Sequence, residues 1–501
     1  WPDLSELLKR PSNDSGKDRV DRPEPSIDLL KVQSFTPIPE FILKQMETIQ
    51  IKSFMGTFPE INRVWMTVDS RLFLWNYDAG PAAPSSHAID MYDDQEQIIV
   101  SVGLVKPVKD VFLAEIEYLL VVATPIEIIL LGLTFNDTGT ASRGQLTIYK
   151  TDLTIASDNV CMNTIVGTED GRIFMNGDNG DVYELHYQVS ALSDERSTFE
   201  RPLARHSAAA KSRKAEETWF TRKIQKVNHS GGVLRLMAPD ALKNVSFIKG
   251  GTVVNSYFSL VTHFLAFRIG AAVTDAKIIV MDKIRRRLYV ITQNTIEVVD
   301  VSDGKFKVVT SVPQLLETAH AIAEGSLYDR DFGILAAYPV LPSESKIIQL
   351  VAVTTTGHRL YFSDSRAQES SGALTLQLLY VRAPPPRTLS PISYGFASDK
   401  FYKSLYAEGL LFLATSHATD KARILSIGAN VGAVAKSAGK LWVEQISQAE
   451  IEGKIYDISE STPAAPKIFD GRSVDGPGEI LNELATQFER PARSFGILTN
   501  A

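Results

Sequence analysis

The chain has 501 residues, of which 44% are hydrophobic, so it can bury a sizeable core. Its 52 lysines and arginines are outnumbered by 59 acidic residues, which excludes a surface that attracts nucleic acid as a whole. The single cysteine, Cys161, excludes an internal disulfide and a cysteine-only zinc cluster and indicates a reducing compartment, the cytosol or the nucleus.

Residues 1–50 predict an extended N-terminal arm. Prolines punctuate this charged stretch and allow a short helix at most: Pro11, Pro23, Pro25, Pro37 and Pro39. The sequence opens at Trp1 without a basic segment followed by an apolar one, so we expect no secretory signal and a piece excised from a longer chain. We also expect no transmembrane segment, because no apolar run reaches the ~18 residues that a span requires.

From about Ile51, short β-branched and aromatic runs alternate with turn residues, which predicts antiparallel strands. Residues 64–77 show the unit: a strand, a tight turn at Asp69 and Ser70, and a second strand. In the third unit, residues 177–180 (GDNG) supply the positive-φ positions that a hairpin turn requires. The unit recurs with centres near Leu72, Leu119, Ile173, Leu288, Leu360, Leu411 and Phe495.

These seven repeats, spaced by roughly 50 residues or more, predict that residues 51–501 form an all-β, seven-bladed β-propeller with helical and loop insertions. Closure into a ring explains how so many strands avoid open edges. Two separate β-sandwiches are the alternative.

A candidate partner-binding segment lies between the first and second repeats. Phe112 and Ile116 are spaced one helical turn apart, next to Glu115 and Glu117, in a run of apolar residues at helical spacing. One interpretation is an exposed apolar groove on the rim that accepts the hydrophobic anchors of a linear motif, with the acidic neighbours attracting basic residues. The other is that Phe112 and Ile116 plug the core between blades.

Two insertions, together spanning about 190–268, hold most of the remaining sequence. Residues 190–228 are rich in lysine and arginine and predict a basic loop, either solvated or in contact with acidic lipid or nucleic acid. Residues 250–267 carry no charge, and an apolar face is opposed by serine, threonine, asparagine and histidine. This pattern is typical of a helix that senses lipid packing, although a buried strand or capping helix is the alternative. The predicted membrane-binding residues are Tyr257, Phe258, Val261, Phe264 and Leu265.

Catalytic and metal-binding motifs are missing from the sequence. The 8 histidines are scattered, with no His-x-x-x-His pair or His/Cys cluster at metal-ligand spacing. Neither a nucleophile elbow nor a phosphate-binding loop occurs. Asp178 and Asp181 belong to a common hairpin turn and lack the further oxygens that calcium requires. We therefore predict no enzyme, no catalytic residue, no metal and no cofactor.

Several segments resemble the N-terminal β-propeller region of the large inner-ring scaffold nucleoporins of the nuclear pore complex, of the fungal type. The segments follow the family's order along most of the chain: residues 71–77 (RLFLWNY), 119–125 (LLVVATP), 168–177 (TEDGRIFMNG), 182–185 (VYEL), 226–230 (KVNHS) and 404–411 (SLYAEGLL). Each motif alone is weak, but together they are specific.

The resemblance implies a seven-bladed propeller followed, in the full protein, by an α-helical solenoid that is absent here. It implies a scaffold role in the inner ring, close to the pore membrane at the nuclear envelope, in support of nucleocytoplasmic transport. It also implies other inner-ring nucleoporins as partners, a linear motif from a linker nucleoporin, and a membrane-sensing loop after Asn228–Ser230. A vesicle-coat subunit or adaptor propeller is the competing class, but WD-repeat dipeptides are not seen at blade ends. Nucleic acid is not expected as a partner.

Overall fold

The computed structural model describes residues 3–8, 31–49, 52–79, 88–136, 144–191, 220–230, 278–323, 327, 332–366, 374–384, 400–418, 420–429, 444–461 and 493–501. Regular structure in these ranges is mostly antiparallel β-strand. No helix in the described part of the chain combines the length and apolarity needed to cross a membrane.

Hairpins form where the sequence places residues that tolerate a left-handed backbone. β2 (Arg63–Val68) turns into β3 (Arg71–Asn76) at Asp69, whose φ is 53°. Gly171 and Gly409, with φ of 93° and 83°, make the corresponding turns in two later sheets. Glycine adopts this conformation without steric cost and aspartate tolerates it, so turn chemistry defines the strand boundaries.

The described residues form six sheets of four strands each, and in each of them the strands are neighbours in chain order. We name them blades 1 to 6. The strands of blades 1 to 3 are β1 (Met55–Phe58), β2 (Arg63–Val68), β3 (Arg71–Asn76), β4 (Ile89–Tyr92), β5 (Ser101–Val105), β6 (Tyr118–Ala123), β7 (Glu127–Asn136), β8 (Gln145–Ala156), β9 (Met162–Gly167), β10 (Ile173–Gly177), β11 (Val182–Ala191) and β12 (Phe220–Asn228).

The strands of blades 4 to 6 are β13 (Ile278–Asp282), β14 (Arg287–Ile291), β15 (Ile296–Asp300), β16 (Lys307–Val312), β17 (Ile334–Pro339), β18 (Ile348–Thr354), β19 (Arg359–Arg366), β20 (Leu374–Arg382), β21 (Lys403–Ala407), β22 (Leu410–Ala418), β23 (Lys421–Ala429) and β24 (Glu444–Glu452). A two-stranded sheet of β25 (Ile455–Glu460) and β26 (Phe495–Thr499) follows, and we call it the closing sheet.

The first strands of successive blades lie next to one another in a ring. β5 contacts β9, β9 contacts β13, and the series continues through β17 and β21 to β25, which contacts β1. The closing sheet therefore lies between blade 6 and blade 1. This arrangement is a β-propeller, and it confirms the predicted all-β propeller fold.

The predicted count of seven blades is wrong, because the described residues form six blades. The seventh repeat centre, Phe495, does lie in a strand, β26. That strand pairs only with β25 among the described residues, so the seventh unit amounts to two strands there. A strand centre in the sequence marks a strand but does not reveal how many partners it finds.

The core lies within and between the blades. The middle strands of the blades read as continuous apolar runs because both of their faces are packed. β18, the second strand of blade 5, is buried along its whole length. Neighbouring blades share side-chain clusters, as where Leu119 of blade 2 packs with Ile173 and Tyr183 of blade 3. Such clusters fix each blade against the next.

In the described part of the chain, three short α-helices lie outside the sheets: α1 (Leu4–Leu8), α2 (Glu40–Met46) and α3 (Leu315–Ile322). The described residues also include two 3₁₀ turns, Pro59–Ile61 and Ser302–Gly304. In the N-terminal arm, residues 31–39 form neither helix nor strand. α2 packs on blade 1 and the closing sheet through Ile42, which is fully buried.

Candidate interaction sites

The loop between β5 and β6, residues 106–117, carries the two predicted partner-binding residues. Phe112 and Ile116 are 9% and 5% exposed and belong to the cluster shared by blades 2 and 3. The Phe112 ring lies 5.8 Å from the ring of Tyr187 on β11. Ile116 occupies the space over Gly132, where a Cβ would lie 2.7 Å from its Cδ1. The structure thus brings both side chains together in the interblade core, and their partner-binding role stays a prediction.

Two successive turns form this loop, rather than one helical turn. The Val111 and Ile116 amides donate to the carbonyls of Val108 and Leu113, each three residues earlier. The Val108 amide donates to the Tyr187 hydroxyl at 2.9 Å, and that hydroxyl donates to the Gly171 carbonyl at 2.8 Å. Burial raises the pKa of Tyr187. The loop is therefore held to blade 3 by a buried hydroxyl.

The outer surface of the same loop is charged. Lys109, Asp110, Glu115 and Glu117 are exposed there. Val111 and Leu113, beside them, are only half-buried. This combination of accessible apolar side chains and acidic neighbours is a surface on which a basic, hydrophobic segment would find complementary groups.

The Asn-His-Ser motif at the end of β12 forms a hydrogen-bonded corner with the start of β11. Asn228 Nδ2 donates to Asp181 Oδ2 at 2.9 Å, and the Val182 amide donates to Ser230 Oγ at 2.8 Å. His229 lies between these two residues and reaches Glu184, with 2.7 Å between Nε2 and Oε2. All three side chains of the motif thus bind β11 or the residue before it. The motif therefore has a structural role, which is to hold β12 against β11.

Glu184 is the centre of an ion-pair network that joins blades 3 and 4. Arg172 Nε and Nη2 donate to its two oxygens at 2.6 and 3.0 Å. Arg172 Nη1 also donates to the carbonyls of Val301 and Lys305 in blade 4. Although burial raises the pKa of Glu184, hydrogen bonds from His229 and Arg172 lower it to about 2. The carboxylate is therefore charged throughout the neutral range.

The His229 ring adds an aromatic contact to the same interblade junction. It stacks on Phe306 of blade 4, with the ring centroids 3.8 Å apart and the planes 4° from parallel. Phe174 of β10 packs against both rings. The junction therefore combines a buried ion pair with stacked rings, which together fix the angle between two blades.

Glu184, His186 and His229 are the one group of three potential metal ligands that the described residues bring within 4.8 Å of one another. Sequence reasoning did not anticipate it, because His186 and His229 lie far apart and meet only through the pairing of β11 with β12. The alternation of Glu184 and His186 on one strand face was the available signal. Arg172 already binds both oxygens of Glu184, so the arrangement serves as an ion-pair network rather than a cation site.

Residues 190–228, predicted as a basic loop, are partly strand. Residues 190 and 191 end β11, and residues 220–228 form β12, the outermost strand of blade 3. Lys226 of β12 pairs with Asp158 at 2.7 Å. The predicted membrane-binding residues Tyr257, Phe258, Val261, Phe264 and Leu265 lie outside the described residues, and their role stays a prediction.

Comparison with known proteins gives a family match along most of the chain. The Nucleoporin_N family model, described as Nup133 N terminal like, matches residues 27–192 and 212–500. A probable nucleoporin of Schizosaccharomyces pombe is 28% identical over 94% of this chain and 34% of its own length. Nuclear pore complex protein Nup154 of Drosophila melanogaster is 27% identical over 95% of this chain and 32% of its own. The chain thus spans about a third of the length of these relatives.

A solved structure has the same fold. The crystal structure of the Chaetomium thermophilum Nup170 NTD–Nup53 complex aligns with a TM-score of 0.71 and 23% sequence identity. The alignment covers 100% of this chain and 64% of that one. At this level of identity, the likeness establishes the shared propeller architecture.

Proposed function

The chain belongs to the Nucleoporin_N family, described as Nup133 N terminal like, and from that membership we propose that it is a structural scaffold component of the nuclear pore complex. The family match spans every blade and confirms the resemblance to the N-terminal propeller of the large inner-ring nucleoporins. This match is the observation that carries the proposal. Because the chain spans about a third of the length of its relatives, the role of the whole protein is inferred from family membership.

A location in the inner ring, near the pore membrane, is the position we propose. A scaffold module must hold its binding surfaces in fixed positions. The interblade contacts at Glu184 and at the closing sheet hold neighbouring blades together and so support that role. The test is the location of the fluorescently tagged full-length protein in cells. Punctate signal at the nuclear envelope is expected, whereas cytoplasmic puncta would favour a vesicle-coat propeller instead.

We propose that the partner is a linker nucleoporin that binds through a short linear motif. A related propeller, Nup170 NTD, was crystallised as a complex with Nup53. On this chain the proposed surface is the loop of residues 106–117, where Phe112 and Ile116 anchor the loop and Glu115 is exposed. Basic residues of the motif would lie near Glu115, and its hydrophobic anchors near Val111 and Leu113.

Calorimetry with overlapping peptides from the Nup53 counterpart of the same organism tests this surface. Glu115→Lys is expected to weaken binding several-fold without changing the melting temperature, because the side chain is exposed. Glu452→Lys, an exposed site on blade 6, is the matched control and should bind as the unmodified chain does. Phe112→Ala with Ile116→Ala should cost several kcal/mol of binding while the melting temperature barely moves. Because both side chains are buried in the interblade core, a loss of affinity accompanied by unfolding would count against the site. Unchanged affinity in Glu115→Lys and in the double variant would remove this loop as the site.

The second proposed contact is with the curved pore membrane, through the apolar face of residues 254–267. Flotation with small liposomes, compared with large ones, measures this contact. Phe258→Asp with Leu265→Asp places two charges on the apolar face and is expected to abolish flotation. Ser256→Asp with Thr262→Asp places the same two charges on the polar face and should preserve most of the flotation. Equal flotation of the two double variants would contradict the proposal.

A further inference from the structure

The first described segment of the chain, residues 3–8, docks across the seam between blades 5 and 6. Leu4 and Leu8, one helical turn apart on α1, are 6% and 8% exposed. They pack into a cluster with residues of both blades, among them Ile348 and Leu413. The segment joins none of the sheets among the described residues. Among the described residues, the contacts that place it on the propeller are therefore side-chain contacts at this seam.

Asp3 provides a polar anchor beside the two leucines. Its carboxylate accepts hydrogen bonds from Ser345 Oγ at 2.6 Å and from the Lys346 amide at 2.8 Å. The Ser5 amide donates to the same carboxylate at 2.8 Å. Burial alone would raise the pKa of Asp3, but these hydrogen bonds hold it below its usual value. The carboxylate is thus bound in its charged form.

Hydrogen bonds within blade 5 also hold the residues that receive Asp3. Ser345 is fully buried, and its Oγ accepts hydrogen bonds from the amides of Ile347 and Ile348 at 3.2 and 3.0 Å. The Ser345 amide in turn donates to the Leu341 carbonyl. The Ser345 oxygen is therefore held by bonds within blade 5 as well as by Asp3, and such preorganisation lowers the cost of binding a carboxylate.

We propose that the seam between blades 5 and 6 is a binding site for a short linear motif, and that residues 3–8 of the same chain occupy it as a detachable latch. The recognised pattern is an acidic residue, a leucine directly after it, and a second leucine four residues after the first, as in Asp3, Leu4 and Leu8. A buried charged anchor next to two apolar anchors is one arrangement by which short peptides bind folded domains. This inference does not depend on the proposed pore function, because it concerns a contact within the chain.

Binding of a detached peptide to the emptied seam tests the latch. The probe is a peptide of residues 1–10 (WPDLSELLKR) with a fluorophore at its C-terminus, followed by anisotropy. A chain lacking residues 1–10 is expected to bind it saturably, and the complete 501-residue chain at least tenfold more weakly, because its own segment is tethered at the seam. The complete chain with Asp3→Asn and Leu4→Ala should bind the peptide as the truncated chain does.

Matched peptides and a receptor variant separate this site from unspecific adhesion. Asp3→Asn in the peptide should weaken binding about tenfold or more, as expected for hydrogen bonds to a charged group. Glu6→Gln, the same change at an exposed carboxylate, should leave binding within twofold. Ser345→Ala in the truncated chain should mimic Asp3→Asn. Equal binding to the truncated and complete chains, no binding to either, or a truncated chain that fails to fold would each overturn the proposal.

Discussion

Thr57 in β1 hydrogen-bonds Asp457 in β25, 400 residues further along the chain. The Thr57 amide and hydroxyl both donate to Asp457 Oδ2, at 2.9 and 2.6 Å. This contact joins the closing sheet to blade 1 and so connects the two ends of the ring. Because the closing sheet has only two strands among the described residues, contacts of this kind have a larger share in holding it than they would in a four-stranded blade.

Removal of Asp457 should therefore loosen the closing sheet before the rest of the propeller. Asp457→Ala leaves two donors of Thr57 without their acceptor, at a cost of about 1–3 kcal/mol. Amide hydrogen exchange is expected to accelerate in β25, β26 and β1, while blade 3 keeps its protection. Asp457→Asn retains an acceptor oxygen and should show a smaller effect. Uniform acceleration in all blades would mean that the ring opens as one unit.

The Arg172–Glu184 pair should be a major contributor to the stability of the junction between blades 3 and 4. The two side chains are 12% and 3% exposed, so Arg172→Ala leaves a buried carboxylate with only histidine partners. We expect a loss of about 3–5 kcal/mol in the free energy of unfolding, measured with urea. Lys106→Ala removes one partner of Glu169 from an exposed ion pair and should cost less than about 1 kcal/mol. Similar losses in the two variants would contradict this account.

The pH dependence of stability should reveal Glu344, which lies beside the docked N-terminal segment. Desolvation raises its pKa to about 7, although the Tyr406 hydroxyl donates to its carboxylate. Asp3 and Glu408 act in the same direction as burial, and Arg493 opposes them. A carboxyl whose pKa is higher in the folded state than in the unfolded state favours folding when it is protonated. Its contribution is present below the unfolded value of about 4.5 and is lost as pH rises through about 7.

We therefore expect the free energy of unfolding of the unmodified chain to fall by about 1 kcal/mol or more between pH 5 and pH 8 on account of this group. Glu344→Gln imitates the protonated form and should remove that part of the decrease. Glu115→Gln, at an exposed carboxylate, is the control and should leave the pH profile unaltered. If Glu344→Gln has the same profile as the control, Glu344 is ionised in the folded protein across this range.

Local turn chemistry made much of the fold predictable. The hairpin at residues 64–77, with its turn at Asp69, and the turn at 177–180 before β11 both lie where the sequence places them. These features depend on neighbouring residues alone, since a positive φ at a turn and alternation along a strand are local properties. The all-β propeller follows from their repetition.

Features that depend on pairing between distant strands were not predictable. The basic composition of residues 190–228 predicts a loop, but residues 220–228 form an outermost strand, which has one edge without a neighbouring strand among the described residues of its blade. The network of Arg172, Glu184 and His229 requires the register of β11 with β12 and the approach of blade 4. The spacing of Phe112 and Ile116 fits a rim helix and an interblade plug equally well, because both place residues four apart side by side.

Gly171 allows the loop of residues 106–117 to reach blade 3, and its replacement should displace that loop. A Cβ at Gly171 would lie 2.3 Å from the Val108 backbone nitrogen, and its φ of 93° adds strain for any other residue. Gly409 is a matched control because its φ is 83° but a Cβ there meets no atom within 4 Å. Gly409→Ala should therefore cost about 1 kcal/mol in the free energy of unfolding, from backbone strain alone.

Gly171→Ala should cost about 2 kcal/mol more than the control, because the loop backbone must move as well. The Val108 amide and the Gly171 carbonyl share the buried Tyr187 hydroxyl, so hydrogen exchange at Val108 should accelerate in this variant and not in Gly409→Ala. Urea unfolding and hydrogen exchange of the two variants measure both effects. If the two alanine variants lose equal free energy and Val108 stays protected, the loop tolerates the displacement, and its close approach to Gly171 does not constrain it.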